Sequence, residues 1–158
     1  MSRYASQTTV SSDKSRVEIE QTLTRYGATT FAYGWDQGRA MIEFGMADRR
    51  VRFVLPLPDR DDDEFWMTPA RKNRRTAEQA EAEWEKACRQ RWRALVLIVK
   101  AKLEAVESEI ADFETEFLGH IVLPNGQTVG DHMVPQVEQA YATGAMPAPL
   151  AALGPGAP

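Results

Sequence analysis

Cysteine is nearly absent from this sequence, with Cys88 the only one in 158 residues. A single thiol forms no internal disulfide, so the chain is not a disulfide-stapled secreted scaffold. Histidine is almost as scarce. His120 and His132 have no second histidine or cysteine at metal-ligand spacing, which argues against a zinc site. Gly34, Gly38 and Gly45 are scattered and build no phosphate-cradling loop, and there is no Gly-x-Ser-x-Gly nucleophile turn. The acidic run Asp59, Asp61, Asp62, Asp63 and Glu64 lacks the spaced ligands and central glycine of a calcium loop. No apolar run reaches 18 residues, so no membrane span is expected. Nor is there a basic excess: the net charge of −4 argues against a protein that coats duplex DNA. Together these absences predict no catalytic residue, no metal and no cofactor.

What is present is periodic. Residues 1–12 are small and polar and read as a flexible arm. Ser12 is a reasonable helix cap, and Ile19, Leu23 and Tyr26 share one face of a helix over 13–26 that Gly27 would stop. The period then changes to two. Phe31, Tyr33 and Trp35 alternate, as do Ala40, Ile42, Phe44 and Met46, and then Val51, Phe53, Leu55 and Leu57. Turns at Asp36-Gln37-Gly38 and Asp48-Arg49 make this a three-stranded antiparallel meander, ended by Pro56 and Pro58. Its second face carries Glu43, Arg50 and Arg52. The aromatics of the first strand read as core, with a base-stacking platform as the sharper alternative.

Residues 59–75 read as a charged linker, interrupted by Phe65-Trp66-Met67, which could dock on the domain or on a partner. Thr76 and Gln79 then match a capping box, and neither proline nor glycine occurs from 77 to 118. The spacing predicts one long helix over 77–118, about 63 Å if unbroken. Trp92, Val96, Val99, Leu103, Val106, Ile110, Phe113 and Phe117 step by four and three along it, and Leu95 and Ile98 widen that seam toward the sheet. Cys88 lies beside Trp84 and Trp92 and reads as a small buried residue. After Gly119, residues 120–123 and 127–129 read as a short β-hairpin around Pro124-Asn125-Gly126. A short helix over 134–142 closed by Gly144 follows, then a proline-, alanine- and glycine-rich tail over 145–158. Asp131-His132 reads as a surface pair rather than a catalytic dyad.

Charge on the long helix is sharply divided. Residues 71–102 carry a net +6, and residues 103–118 carry −6. Acids near a helix C-terminus oppose its dipole, so local helix stability does not account for the division. Two antiparallel copies would lay each basic half on an acidic half, which predicts a homo-oligomer. Alternatively the basic half binds single-stranded DNA. Arg89, Arg91, Arg93, Lys100 and Lys102 would then contact phosphate, and Arg71, Lys72, Arg74 and Arg75 would extend the patch. The ordinary alternative is a solvated face.

The segments RYGATTFAYGWDQGRAMIEFGMADRRVRFVLPLP, WEKACRQRWRALVLIVKAKLEAVESEIADFETEFLGHIVLPNGQTVG and PQVEQAYATGAMP resemble a family of small, functionally uncharacterised proteins of tailed phages and prophages. The resemblance implies a bacterial cytoplasmic location and brings no activity with it. The order of helix, meander and long helix is also similar to the outline of strand-annealing recombination proteins, which bind single-stranded DNA. The expected fold is α+β: an N-terminal helix, a three-stranded antiparallel meander, a long helix, and a C-terminal β-hairpin and short helix in one domain over 13–144. The expected function is a non-enzymatic phage-type accessory protein that self-associates and binds single-stranded DNA. The alternative is a protein-binding adaptor or inhibitor of a host or phage protein.

Overall fold

A computed structural model describes residues 3–146 apart from Gln37 and Arg71, with side chains described from Asp13 onward. The tail from residue 147 lies outside the described residues. The architecture is α+β. Helix α1 (Arg3–Arg25) precedes strands β1 (Thr30–Asp36), β2 (Arg39–Met46) and β3 (Arg49–Pro56). Helices α2 (Asp63–Trp66), α3 (Ala77–Glu107), α4 (Phe113–Phe117) and α5 (Val129–Thr143) follow, with a 3-10 turn at Leu118–His120. The first helix therefore starts at Arg3, not Asp13, and residues 3–12 are helical rather than a loose arm.

The sheet is the expected meander in the order β1-β2-β3, antiparallel throughout. Its faces separate as period-two spacing requires. Ala40, Ile42, Phe44, Met46, Val51 and Phe53 are buried on one face. Glu43 takes both Arg50 and Arg52 on the other. The β2–β3 turn sits one residue earlier than expected. Ala47 and Asp48 occupy it with φ of 52° and 57°, a two-residue turn with both central residues left-handed, as the strand twist favours.

Against the inner face of the sheet lies α3. Trp92, Leu95, Val96, Val99 and Leu103 are buried there with Ile19 and Leu23 of α1. Thr76 and Gln79 form the expected reciprocal cap at its N-terminus. Its C-terminus is the main correction. The long helix does not continue to residue 118: it ends at Glu107, and the chain restarts at Phe113. Glu109 adopts φ 59°, its N–H donates to the Val106 carbonyl, and the Ile110 N–H donates to the Ala105 carbonyl. These two bonds are a Schellman stop, built here without glycine. Asp112 then caps α4 through the Thr115 N–H at 3.0 Å. The seam divides accordingly. Ile110 is 82% exposed, while Phe117 is fully buried and edge-on to both Phe44 and Phe53. Ile98 also leaves the seam, because it faces solvent while Leu95 does not.

The linker over residues 59–75 is structured. Phe65, on α2, is buried with Trp84 and Cys88 in a second, smaller cluster. The Trp84 indole N–H donates to the Pro58 carbonyl at 2.7 Å, and Arg60 stacks on the Trp84 ring. Burial pushes the Cys88 thiol up to about 11, as its small-residue role implies.

Beyond α4, the expected hairpin is reduced to isolated bridges. Ile121 pairs with Val51, and Val122 pairs with Thr128 around the Leu123–Gln127 turn. His120 sits in the 3-10 turn, not in a strand, and stacks on Phe53 at 4.0 Å. Burial, then the Lys102 charge, holds its imidazole below the usual histidine range. Helix α5 begins five residues earlier than expected, capped by Thr128 and Asp131, and Gly144 ends it at φ 73°.

The stop at Glu109 is testable. An L-residue in the left-handed region is strained, so Glu109→Gly is expected to stabilise the protein by about 0.5–1 kcal/mol in urea unfolding. Glycine within a continuous helix would instead cost about 1 kcal/mol.

Candidate binding surfaces

The nine basic residues singled out from the sequence do not converge. Helical spacing already divides them, since Arg89, Arg93 and Lys100 project from one flank of α3 and Arg91 and Lys102 from the other. The first flank meets α1. Glu18 there receives Lys100 and, at 2.9 Å, Arg93. The hydrogen bond from Lys100 and the charges of Arg93 and Lys100 hold the Glu18 carboxyl below its ordinary value against the opposing effect of burial. Tyr26 donates to Glu104 further along, so α1 runs beside α3 in the same direction. On the second flank Arg91 reaches the Pro56 carbonyl at 3.3 Å, and Lys102 bonds the backbone and carboxylate of Glu116, both at 3.1 Å.

The patch over residues 71–75 is occupied as well. Arg71 lies outside the described residues. Arg75 is an internal strut: its guanidinium donates to the carbonyls of Glu64 and Phe65, and its backbone N–H donates to that of Trp66. Arg74 lies over the Trp66 ring, and Met67 pairs with Arg74 in a bridge. Lys72 is exposed on a left-handed residue (φ 49°). Of the proposed phosphate contacts, the side chains of Lys72 and Arg89 make no hydrogen bond, ion pair or ring contact among the described residues.

An open groove of about 690 Å³ separates this segment from α3, floored by Phe65 and Ala87. Its rim alternates sign: Lys72, Arg75 and Lys86 are opposed by Asp63, Glu64 and Glu83. That mixture concentrates no field for phosphate. Asp131 caps α5 reciprocally with Thr128, its carboxylate accepting from the Thr128 N–H and its own N–H donating to the Thr128 hydroxyl. Among the described residues no group of three acidic, histidine or cysteine side chains could hold a metal ion, and no helix is long and apolar enough to cross a membrane.

The aromatic platform is not formed either. Phe31 and Tyr33 pack toward the core, with Tyr33 5.8 Å from Trp92 and beneath Arg16. Trp35 alone is exposed.

What sequence reasoning missed is an uncovered apolar stripe on α5. Gly130 lets the first turn of that helix approach closely, since a Cβ there would lie 2.8 Å from the Gly119 carbonyl oxygen. Val129 joins the core, but no residue of α5 is buried. Val134, Val137 and Tyr141 stand at i, i+3 and i+7 and are 52%, 45% and 90% exposed. The spacing was legible in VPQVEQAY, but a short amphipathic helix is ordinarily read as docking on its own domain. No family model matches this chain, no curated protein matches it, and no solved structure matches it.

The role of Glu18 gives a pH test. A carboxyl whose folded pKa lies below its unfolded value stabilises above the unfolded value and loses that contribution as pH falls through the folded one. Glu18→Gln is therefore expected to cost up to about 1 kcal/mol at neutral pH, as partly exposed pairs do. In urea titrations the difference from the parent should vanish at acid pH, below the ordinary glutamate value of 4.5.

Proposed function

We propose that this chain is a non-enzymatic, phage-type accessory protein that self-associates and binds a second macromolecule, and that this macromolecule is a protein rather than single-stranded DNA. The observation that carries the choice is α5. A 15-residue helix with no buried side chain presents Val134, Val137 and Tyr141 on one stripe. Helix-in-groove recognition uses anchors at that spacing. Tyrosine suits the centre of such a contact because it supplies large area with few rotatable bonds.

The single-stranded DNA reading loses support from the same geometry. Arg93, Lys100 and Lys102 are paired with carboxylates, and Arg75 with backbone carbonyls. Breaking an ion pair to bind phosphate exchanges one charge partner for another, with little net gain. The adaptor reading changes too. Phe65 is 4% exposed and packs against Trp84 and Cys88, so the contact surface moves from the linker to α5. The phage assignment rests on the resemblance of sequence segments described above.

Two measurements test the reading. A photo-crosslinking residue at Val137 or Tyr141 is expected to trap one discrete protein in bacterial cells, whereas the same residue at Gln139, exposed on the opposite face of α5, is not. On immobilised single-stranded DNA the protein is expected to pass through at low salt. Retention that falls steeply with salt would restore the nucleic-acid reading, because such a slope reports released phosphate counterions.

A further inference from the structure

The two edges of the sheet are finished differently. At the β3 edge the Val122 N–H donates to the Arg50 carbonyl at 2.8 Å, Ile121 bridges Val51, and Arg91 reaches the Pro56 carbonyl at 3.3 Å. The β1 edge is open. The Leu57 N–H donates to the Gly38 carbonyl, so the even-numbered residues of β2 turn their backbone groups toward β3 and the odd-numbered ones toward β1. The β1–β2 register then turns Thr30, Ala32, Gly34 and Asp36 inward. Phe31, Tyr33 and Trp35 are left with N–H and C=O directed outward, and these groups have no hydrogen-bond partner among the described residues.

Proteins ordinarily blunt such an edge with lysine, proline, a bulge or a charge turned toward the sheet. β1 carries none of these. Its register with β2 is unbroken from Thr30 to Asp36, and its one charge, Asp36, ends the strand in a pair with Arg39 at 3.1 Å. Trp35, beside the open groups, is 70% exposed. What a row of free donors and acceptors accepts is another extended strand.

The strand is the complement of its own reverse. About a two-fold axis at Tyr33, the outward groups of Phe31 meet those of the partner's Trp35, and Tyr33 meets the partner's Tyr33, each pair exchanging two bonds. Ring stands beside ring on the face that carries the core, and Trp35 is covered. On the opposite face Ala32 stands against the partner's Gly34, so no side chain blocks the approach. Thr30 stands against the partner's Asp36, and no like charges face each other. Arg16, which lies over Tyr33 near the axis, is already paired with Asp13 at 3.2 Å. A slip of one residue would turn the aromatic rings onto the wrong face.

We propose that a second copy of this chain adds its β1 antiparallel to this β1, centred on Tyr33, joining the two sheets into one. The contact is isologous and closes at two copies. It rests on the self-association proposed above and names its surface. It uses backbone groups of the sheet rather than the charges of α3, and it leaves α5 free for a different partner.

Light scattering, amide exchange and cysteine crosslinking test it on the full chain. Dimer mass is expected for the parent protein. The amides of Phe31, Tyr33 and Trp35 are expected to be protected in the dimer and to exchange freely on dilution to the monomer. Trp35→Lys places beside the partner's Phe31 the residue that natural edges use for protection. Loss of the dimer is expected, with the far-ultraviolet circular dichroism of the parent retained because Trp35 is exposed. Cys88 is buried, so an introduced thiol reports alone. A Cβ at Gly34 meets only the Met41 methyl at 3.7 Å, so a cysteine fits there. Ala32→Cys mixed with Gly34→Cys should link, since their Cα atoms would face each other about 4.5 Å apart. Ala32→Cys alone should not, because its two copies would stand about 8 Å apart, beyond disulfide reach. A parent protein that is monomeric at every concentration overturns the seat and the self-association together, and leaves the edge to an extended segment of a different protein. A dimer whose Phe31, Tyr33 and Trp35 amides exchange freely, or one that survives Trp35→Lys, or an Ala32→Cys protein that links to itself, overturns the β1 pairing while leaving self-association standing.

Discussion

The fold depends on one contact: the seam of α3 lying on the inner face of a three-stranded sheet. Trp92, Val96, Val99 and Leu103 are buried against Ile42, Phe44, Val51 and Phe53. Fully burying side chains of this size contributes about 1.5–3 kcal/mol each. The partly exposed ion pairs around the seam contribute about 0–1 kcal/mol each. Packing therefore fixes how α3 is rotated, and the charged residues find partners within that constraint. α1 fills the gap along one flank of α3, and α4 closes the end of the core by inserting Phe117 beside Phe44 and Phe53. A three-stranded sheet with one apolar face is too small to stand alone, so each of these helices is needed to complete its cover.

That order of importance accounts for the fate of the basic stripe. Read as a string, Arg89, Arg91, Arg93, Lys100 and Lys102 form a run of one sign. Wrapped on a helix whose rotation is set by Trp92 and Val96, they divide between α1 on one side and the β3–α4 side on the other. Glu18 and Glu116 stand where those cations arrive. The +6 of residues 71–102 is thus partly compensated inside the domain, by two acids that lie outside the segment over which it was counted. Charge totals along a sequence window report a surface field only when tertiary partners are absent, and here they are present.

The parts of the fold legible in the sequence were those governed by local rules. Alternation over 31–57 placed the three strands and their buried face, apart from Trp35, which is exposed, and a one-residue shift of the second turn, because burial on one face forces period two. The Thr76–Gln79 box and Gly144 marked the ends of their helices, because those positions have side-chain or backbone requirements that few residues meet. The break after Glu107 was hidden because the usual marker, glycine in the left-handed position, is replaced by glutamate. The seam also kept its four-three spacing across the break, so Phe113 and Phe117 read as a continuation. Ser108 and Asp112 were the available signals, being poor helix-interior residues and good caps. Phe65 was hidden for another reason. A buried aromatic between an acidic and a basic run has no periodic neighbour, and its partners Trp84 and Cys88 lie on an element about twenty residues away.

The same distinction bears on how the molecule can recognise anything. Its cations are mostly engaged, and its groove between α2 and α3 alternates in sign, so long-range attraction to a polyanion is weak. Its uncovered features are apolar: Leu97 and Ile98 on α3, and Val134, Val137 and Tyr141 on α5. Exposed apolar side chains scattered singly require no explanation, but two stripes with helical spacing are a different matter. Each stripe sits on an element whose own register was decided by contacts elsewhere, α3 by its seam and α5 by the close approach of Gly130 to Gly119. Rotating α3 to cover its stripe would uncover the larger seam from Trp92 to Leu103. Such surfaces are rigid and already desolvation-ready, so the ordering entropy that a flexible loop would lose on binding is largely absent. Recognition by this chain is therefore expected to depend on shape and apolar area, with the few unpaired charges serving to orient the partner rather than to hold it.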